Sequence, residues 1–347
     1  MQTSLDASGV LSAAVAEPKE MLSVTEQDGK TLVRINYSSL ALLQKCARKA
    51  EYSLIRGLKP NLESPALLFG LAIHKGLEVY YSGERTERRI PDNYHSTMQM
   101  IACGQWEPDW AESLLFRAAR AFVEKAQPLS ELPDENDRSV SSGVYMLTHY
   151  FQKYATDEYV VLRDSYGPVV ERKFTLPLFD TPSLKVDLFG QIDFVMRSDV
   201  TGQILPGDHK TAGNLYGFYD KIKPNFQYVC YSLATREVLG LDTNLFLVNA
   251  LQVKKPPKTA RGTPPDFARQ VTECTEQDYE ELRLAVYDTV TRFLDYRNTG
   301  KFPMAASGAC TANYGSCEFM PVCAAPLNLR ESIITAKYTG GSYAKSP

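Results

Sequence analysis

The chain has 347 residues, 44% hydrophobic and 23% charged, the balance of a soluble globular protein with enough length for one elaborated domain or two ordinary ones. Its formal net charge of −3 gives no global pull toward nucleic acid, so any DNA contact must use a local basic surface. No apolar run approaches the roughly 20 residues of a membrane span. No basic segment precedes the short apolar stretch near the N-terminus, so a cytoplasmic location is expected rather than a secreted one.

Residues 1–30 are small, polar and without sustained periodicity, and are expected to form a loose arm. A helix is expected from Ser38 or Ser39 as N-cap through LALLQKCARKAEYSLI, with Leu42, Leu43, Cys46 and Ala50 on one face. A second follows Pro65 and ends before Gly83. Further helices are expected at about 110–127 and 140–156, separated by the acidic, Pro-containing loop ELPDEND. From Tyr159 the texture becomes β-rich: VVLRDS, PVVERKFTLPL, LKVDLFGQIDFVMRS and QILPGDHKT read as short strands. NFQYVCYSLATREVLG reads as a helix, LFLVNALQV and FARQVTECT as a strand pair around a basic Pro-rich loop, and EQDYEELRLAVYDTVTRFLDYRNTG as a long helix. This order describes an α/β core over residues 31–327 with a helical insertion at about 84–158 and a C-terminal tail at 328–347. There is no GxxxxGK[ST] loop for an ATP-driven motor and no GxSxG elbow.

Two carboxylates and a lysine surround the turn in GQIDFVMRSDVTGQILPGDHKTAG, residues 190–213. Strand alternation puts Asp208 and Lys210 on one face with His209 opposite, and Ile192 and Phe194 on one face with Asp193 opposite. A turn at SDVTG would bring Asp193, Asp208 and Lys210 together. Facing carboxylates at a core edge need a cation or a shared proton, and Mg²⁺ or Mn²⁺ suits that need. A solvated surface hairpin is the alternative reading. Pro206 and Gly207 fall where a β-former would be ordinary, so strand pairing is expected to be interrupted there.

Other residues extend the pattern. His74 lies four residues after Gly70 on one helical face, and Gly70 inside a helix suggests close approach to another backbone. Gln227 and Tyr231 share a helical face, and Glu171 is a further carboxylate, free also to pair with Arg172 or Lys173. The ordered set His, Glu, Asp, Asp-x-Lys, Gln-x-x-x-Tyr closely resembles the PD-(D/E)XK nuclease superfamily, and within it the RecB-type exonucleases and their phage and CRISPR-associated relatives, over roughly residues 34–326. The resemblance implies a restriction-endonuclease-like core, a central mixed β-sheet flanked by helices. It implies His74, Asp193, Asp208 and the His209 carbonyl as ligands of Mg²⁺ or Mn²⁺, and Lys210 as the catalytic lysine. Glu171 matches a family acid of less defined role, and Gln227 and Tyr231 face the substrate.

The implied activity is a metal-dependent deoxyribonuclease, an exonuclease on single-stranded ends in DNA repair, recombination or replication. Implied partners are DNA and a helicase, recombinase or single-strand-binding protein. The alternative is a catalytically weak accessory subunit with the same fold. Lys221 and Lys223, and Lys254, Lys255, Lys258 and Arg261, are local basic clusters, and Tyr216, Tyr219 and Phe226 nearby could stack on bases.

Seven cysteines, three of them within residues 310–323, read as metal binding before disulfides. Cys310, Cys317 and Cys323 contain no CxxC pair, which weakens zinc against an iron–sulfur cluster. A subset of RecB-type nucleases binds a 4Fe-4S cluster through one N-terminal and three C-terminal cysteines. By that resemblance the ligands are Cys46, Cys310, Cys317 and Cys323, although the first C-terminal spacing is longer here than usual.

Overall fold

The computed structural model describes residues 21–340, apart from 62–63, 133–136, 217, 219–221, 223–224, 259–261, 306–307 and 312–315. It opens on a hairpin of β1 (Leu22–Gln27) and β2 (Lys30–Asn36). Asp28 and Gly29 form its turn with φ of 51° and 76°, the positive values that tight hairpin turns require and Asp-Gly tolerates. The loose arm expected to residue 30 is therefore corrected over 21–30, because Leu22 and Val24 pack on the core. Residues 1–20 of that expectation lie outside the described residues.

β2 runs directly into α1 (Tyr37–Lys45), whose N-cap is Asn36. Its side chain accepts from Ser39 N–H at 2.8 Å, so the cap lies ahead of the expected Ser38 or Ser39. The helix breaks at Cys46, which is extended, and restarts as α2 (Ala47–Ala50) before a π turn over Glu51–Ile55. After β3 (Lys59–Pro60) comes α3 (Pro65–Ser82), with proline in its first turn, where the missing N–H costs nothing. A helical layer follows: α4 (Tyr94–Ala102), α5 (Leu114–Ala126) and α6 (Val140–Lys153). Gly76 seats α3 in it, since a Cβ there would meet Ala118 O, Leu147 and Phe122 at 3.1 Å.

The remaining strands are β4 (Tyr159–Val161), β5 (Arg163–Asp164), β6 (Gly167–Pro168), β7 (Val170–Asp180), β8 (Leu184–Ser198) and β9 (Ile204–Ala212), then β10 (Leu245–Gln252) and β11 (Phe267–Glu273) beyond α7 (Phe226–Glu237). α8 (Glu276–Thr299), α9 (Met320–Ala324), α10 (Arg330–Lys337) and β12 (Tyr338–Thr339) complete the described chain. β12 pairs with β3, and Ile334 and Tyr338 bury against Tyr52, Leu58, Phe319 and Val322. That packing replaces the expected tail over 328–340, and residues 341–347 lie outside the described residues.

The main sheet runs β1-β2-β8-β9-β10-β11, with β7 and β4 also paired to β8. β2–β8 and β9–β10 are parallel and the other pairs antiparallel, so the sheet is mixed and flanked by helices. One face packs on α1, α7 and α8 through Leu40, Leu233 and Val286. The other packs on the helical layer through Phe69, Leu77, Phe122 and Leu147.

The pleat of β8 changes phase halfway along. Val186, Leu188 and Ile192 lie in the α1–α7–α8 core, whereas Phe194 and Met196 lie in the helical-layer core. The expectation that Ile192 and Phe194 share a face is thus overturned. Opposite, the pairs Val170–Phe194 and Arg172–Ile192 flank Glu171, whose φ of 48° is left-handed. Such a residue stores about 1–3 kcal/mol, and here it accompanies the phase change. At the same place β8 changes neighbour: its pairing with β2 ends at Phe189 and that with β9 begins at Phe194. The sheet forks around Asp193.

Candidate active site

Pro206 and Gly207 do not interrupt β9, contrary to expectation. Pro206 pairs with Val195 and Gly207 with Phe194, and pairing with β10 starts at Gly207–Leu247. The proline precedes that second ladder, so its missing N–H removes no bond to β10. Gly207 allows the close fit: a Cβ would fall 2.2 Å from the Phe194 ring and 2.6 Å from Leu247 O. Beyond this step the strands part, and the Asp193 carboxylate accepts the His209 N–H at 2.8 Å.

Three ligand atoms, one each from His74, Asp193 and Asp208, lie within 4.8 Å of one another, and among the described residues no other group of three does so. His74 Nδ1 stands 3.2 Å from Asp193 Oδ2, and its Nε2 2.7 Å from His209 O. The His209 peptide therefore offers both its N–H and its carbonyl to the site, while its ring is buried against Tyr81 and Phe194 and stands edge-on to the His74 ring. Lys210 forms an ion pair with Asp208 and donates to Gln227 Oε1 at 3.2 Å, and Gln227 Nε2 donates to Tyr231 Oη at 3.4 Å.

The electrostatics are those of an acidic pocket short of positive charge. Burial, then the Asp208 and Glu171 carboxylates, hold the Asp193 carboxyl well above its usual range. Burial, then Glu78, pushes Glu171 up to about 7. Burial lowers the His74 imidazole, leaving it neutral and able to ligate. Burial works against the Lys210 charge, but Asp208 outweighs it and the ammonium is stabilised. Asp208 Oδ2 is buried without a directed hydrogen bond, its compensation being the Lys210 charge. An imidazole, two carboxylates and a peptide carbonyl form a donor set that fits Mg²⁺ or Mn²⁺, and a divalent cation would relieve the carboxylate repulsion.

Glu171 stands outside this three-residue group, and Arg172 pairs with Asp164 at 2.7 Å rather than with it. Glu78 went unnoticed in the sequence, although its spacing of four from His74 puts both on one face. Gly70 departs from expectation: a Cβ there would meet Thr211 Oγ1 at an ordinary 3.8 Å, so no backbone approaches it closely.

None of the seven cysteines is in a disulfide; Cys230 and Cys274 are buried and Cys103 is exposed. Cys317 N–H bonds to Cys310 O at 2.7 Å. Burial, opposed by Arg48 and reinforced by Cys317 and Cys46, raises the Cys323 thiol. The break after α1 and the segment from Cys310 to Cys323 thus meet in one region.

In the basic loop, Lys254 bonds to Thr263 and Pro264, and Lys255 pairs with Asp137 at 2.8 Å. Both are engaged within the chain. Tyr216 is 94% exposed, whereas Phe226 packs on the core. Tyr219, Lys221, Lys223 and Arg261 lie outside the described residues. No helix among the described residues is long and apolar enough to cross a membrane.

Comparison with known proteins bears on this geometry. None of the curated proteins matches the chain. A crystal structure from Eubacterium rectale, described as "Putative exonuclease", is similar at 13% identity and a TM-score of 0.36, covering 84% of this chain and 97% of that one. A sequence model of the PD-(D/E)XK nuclease superfamily matches residues 34–324, a span that runs from the end of β2 through the forked sheet to the last cysteine. The chain belongs to the PD-(D/E)XK nuclease superfamily.

Proposed function

We propose that the protein is a Mg²⁺- or Mn²⁺-dependent deoxyribonuclease, an exonuclease acting on single-stranded ends. The observation that carries this reading is the convergence of His74, Asp193 and Asp208 within 4.8 Å, with Lys210 ion-paired beside them. His74, Asp193, Asp208 and the His209 carbonyl would hold the ion, which when bound supplies a polarised phosphoryl oxygen and an acidified water. Lys210, kept charged by Asp208 and aimed by Gln227, is placed to orient the attacking water and to steady charge on the phosphate. Tyr231 extends that line toward the substrate.

Digestion of end-labelled single- and double-stranded DNA with Mg²⁺ or Mn²⁺ tests the reading. Asp208→Ala and Lys210→Ala should each lose at least about 100-fold in rate, and single strands should be shortened from an end. Undiminished cleavage by Lys210→Ala would sink the catalytic assignment, and internal cuts in circular single strands would sink the exonuclease part.

The same proposal gives Cys46, Cys310, Cys317 and Cys323 a 4Fe-4S cluster that staples the α1 break to the C-terminal segment. Their gathering from distant parts of the chain supports it. Protein purified without oxygen should be brown with about four irons per chain. A colourless protein with stoichiometric zinc would replace the cluster by a zinc site.

A further inference from the structure

On the helical-layer face of the sheet lies a buried polar row that meets the candidate ion-binding group only through His209, whose ring stands edge-on to the His74 ring at 5.7 Å. His209, Asn249 and Arg269 face one another across β9, β10 and β11 in strand register. Asn249 is 1% exposed. Its Nδ2 donates to His209 Nδ1 and to Tyr150 Oη, each at 2.7 Å, and its Oδ1 stands 3.5 Å from Arg269 Nε. Arg269 ends the row in a two-pronged bond to Asp157, 2.7 Å on each arm, and donates to Tyr81 Oη at 2.9 Å. The Tyr81 ring closes the circuit by stacking on the His209 ring, 5.4 Å between centroids and 16° between planes.

Apolar side chains would hold the sheet to the helical layer at least as well as this row does, since buried ion pairs contribute little net stability. What apolar contacts lack is direction. A hydrogen bond to Nδ1 together with a stacked face fixes the His209 ring in rotation as well as in position. The same residue's peptide presents its N–H to Asp193 and its carbonyl to His74, so the ring's orientation is transmitted to both.

We propose that Asn249 is a positioning residue: through the His209 ring it fixes the peptide whose carbonyl and N–H complete the ion-binding group. This deepens the reading of His74, Asp193 and Asp208 given above and rests on it. Groups that orient a ligand from behind typically contribute 10–100-fold in metal affinity.

The test is Mn²⁺ binding to the full-length protein without DNA, followed by the electron paramagnetic resonance of free Mn²⁺. Asn249→Leu should raise the Mn²⁺ dissociation constant about 10-fold or more. Tyr150→Phe, which keeps the ring packing, should raise it in the same direction by less. The pair variant His209→Leu/Asn249→Leu removes both polar partners and should regain thermal stability while its Mn²⁺ affinity stays low. Wild-type affinity in Asn249→Leu, or a return to it in the pair variant, would overturn the proposal. If Asn249→Leu does not fold, unchanged affinity in Tyr150→Phe would overturn it alone. Wild-type affinity in Asp208→Ala would instead remove the ion site on which it rests. Tight, Asn249-dependent Mn²⁺ binding without DNA cleavage would refute the nuclease reading and leave the positioning role standing.

Discussion

Gly207→Ala should damage the protein more than its single methyl suggests. The added Cβ would fall 2.2 Å from the Phe194 ring and 2.6 Å from Leu247 O, against the ordinary contact of 3.4 Å or more, so something must move by roughly 1 Å. The ring has little freedom, because Phe194 is fully buried against Tyr81 and His209. The carbonyl has less, since Leu247 is the first residue of the β9–β10 pairing. Overpacking of this kind costs about 1–3 kcal/mol, and two obstacles, one of them backbone, place the expected loss near 3 kcal/mol. Because the obstacles lie on both neighbouring strands, relief must displace β9 relative to β8 and β10 together, which moves Asp208 relative to Asp193. A misplacement of about 1 Å can cost on the order of 100-fold in rate. Urea denaturation measures the first effect, and Mn²⁺-supported DNA cleavage the second. Adding Phe194→Leu should recover part of the stability, because it removes the ring and leaves the carbonyl. A Gly207→Ala variant within about 0.5 kcal/mol of wild type with unchanged cleavage would refute the reasoning.

Glu171→Gln should alter the pH dependence of stability in EDTA. The folded carboxyl, pushed up to about 7, favours its proton, so its stability contribution is complete below about pH 4.5 and is lost as pH rises through 7. That displacement is worth roughly 3 kcal/mol, reduced to about 1–2 kcal/mol by partial solvent access. Urea midpoints should therefore coincide near pH 4.5 and favour the glutamine variant at pH 8; equal midpoints at both would contradict the assignment. Arg269→Met leaves Asp157 buried and uncompensated, a loss of about 3–5 kcal/mol. Arg269→Met/Asp157→Leu should regain most of it, and a pair variant as unstable as the single one would show that the ion pair is not the cause. Cys46→Ser should remove the iron from anaerobically purified protein and expose residues 320–340 to protease, while iron retained at about four per chain would exclude Cys46 as a ligand.

Sequence patterns reveal what is local and miss what is set by register. Pro65 and Gly83 bound α3 because both act on the backbone of their own turn. The turn between β8 and β9 and the facing of Asp208 and Lys210 follow from short-range alternation in the same way. The phase change at Asp193 leaves no such trace: Ile192-Asp193-Phe194 reads as regular alternation, and the break lies in the left-handed conformation of Glu171 on the neighbouring strand. Asp157, Asn249 and Arg269 share no spacing at all and meet only through strand register and the helical layer. Asn36, Ser38 and Ser39 are equally good caps by residue type. Asn36 prevails because β2 delivers it already extended. The segment 328–340 has little periodicity of its own and owes its order to β3 and Phe319.

The fork explains how one site can draw on both cores. Within an unbroken sheet, Asp208 and Lys210 would face α7 and Gln227, and a histidine from α3 on the other face could not reach them. Between Phe189 and Phe194, β8 has β2 behind it and β9 ahead of it, and His74 enters through that gap to touch Asp193 and the His209 carbonyl. Opening a sheet in its interior releases backbone groups that must be bonded again. Here the site side chains do so: Asp193 takes the His209 N–H, His74 meets the His209 carbonyl, and Gln191 donates to Glu171 O at 3.0 Å. Asp193 and His74 therefore close the fork as well as offering ligand atoms, while Asp208 bonds to no released backbone group. Asp193→Ala should consequently destabilise the ion-free protein by about 1–3 kcal/mol through the unsatisfied His209 N–H. Asp193→Asn, whose side-chain oxygen still accepts, should keep that stability and lose Mn²⁺ binding. Equal stability losses in the two variants would mean that the Asp193 charge, rather than its hydrogen bond, holds the fork.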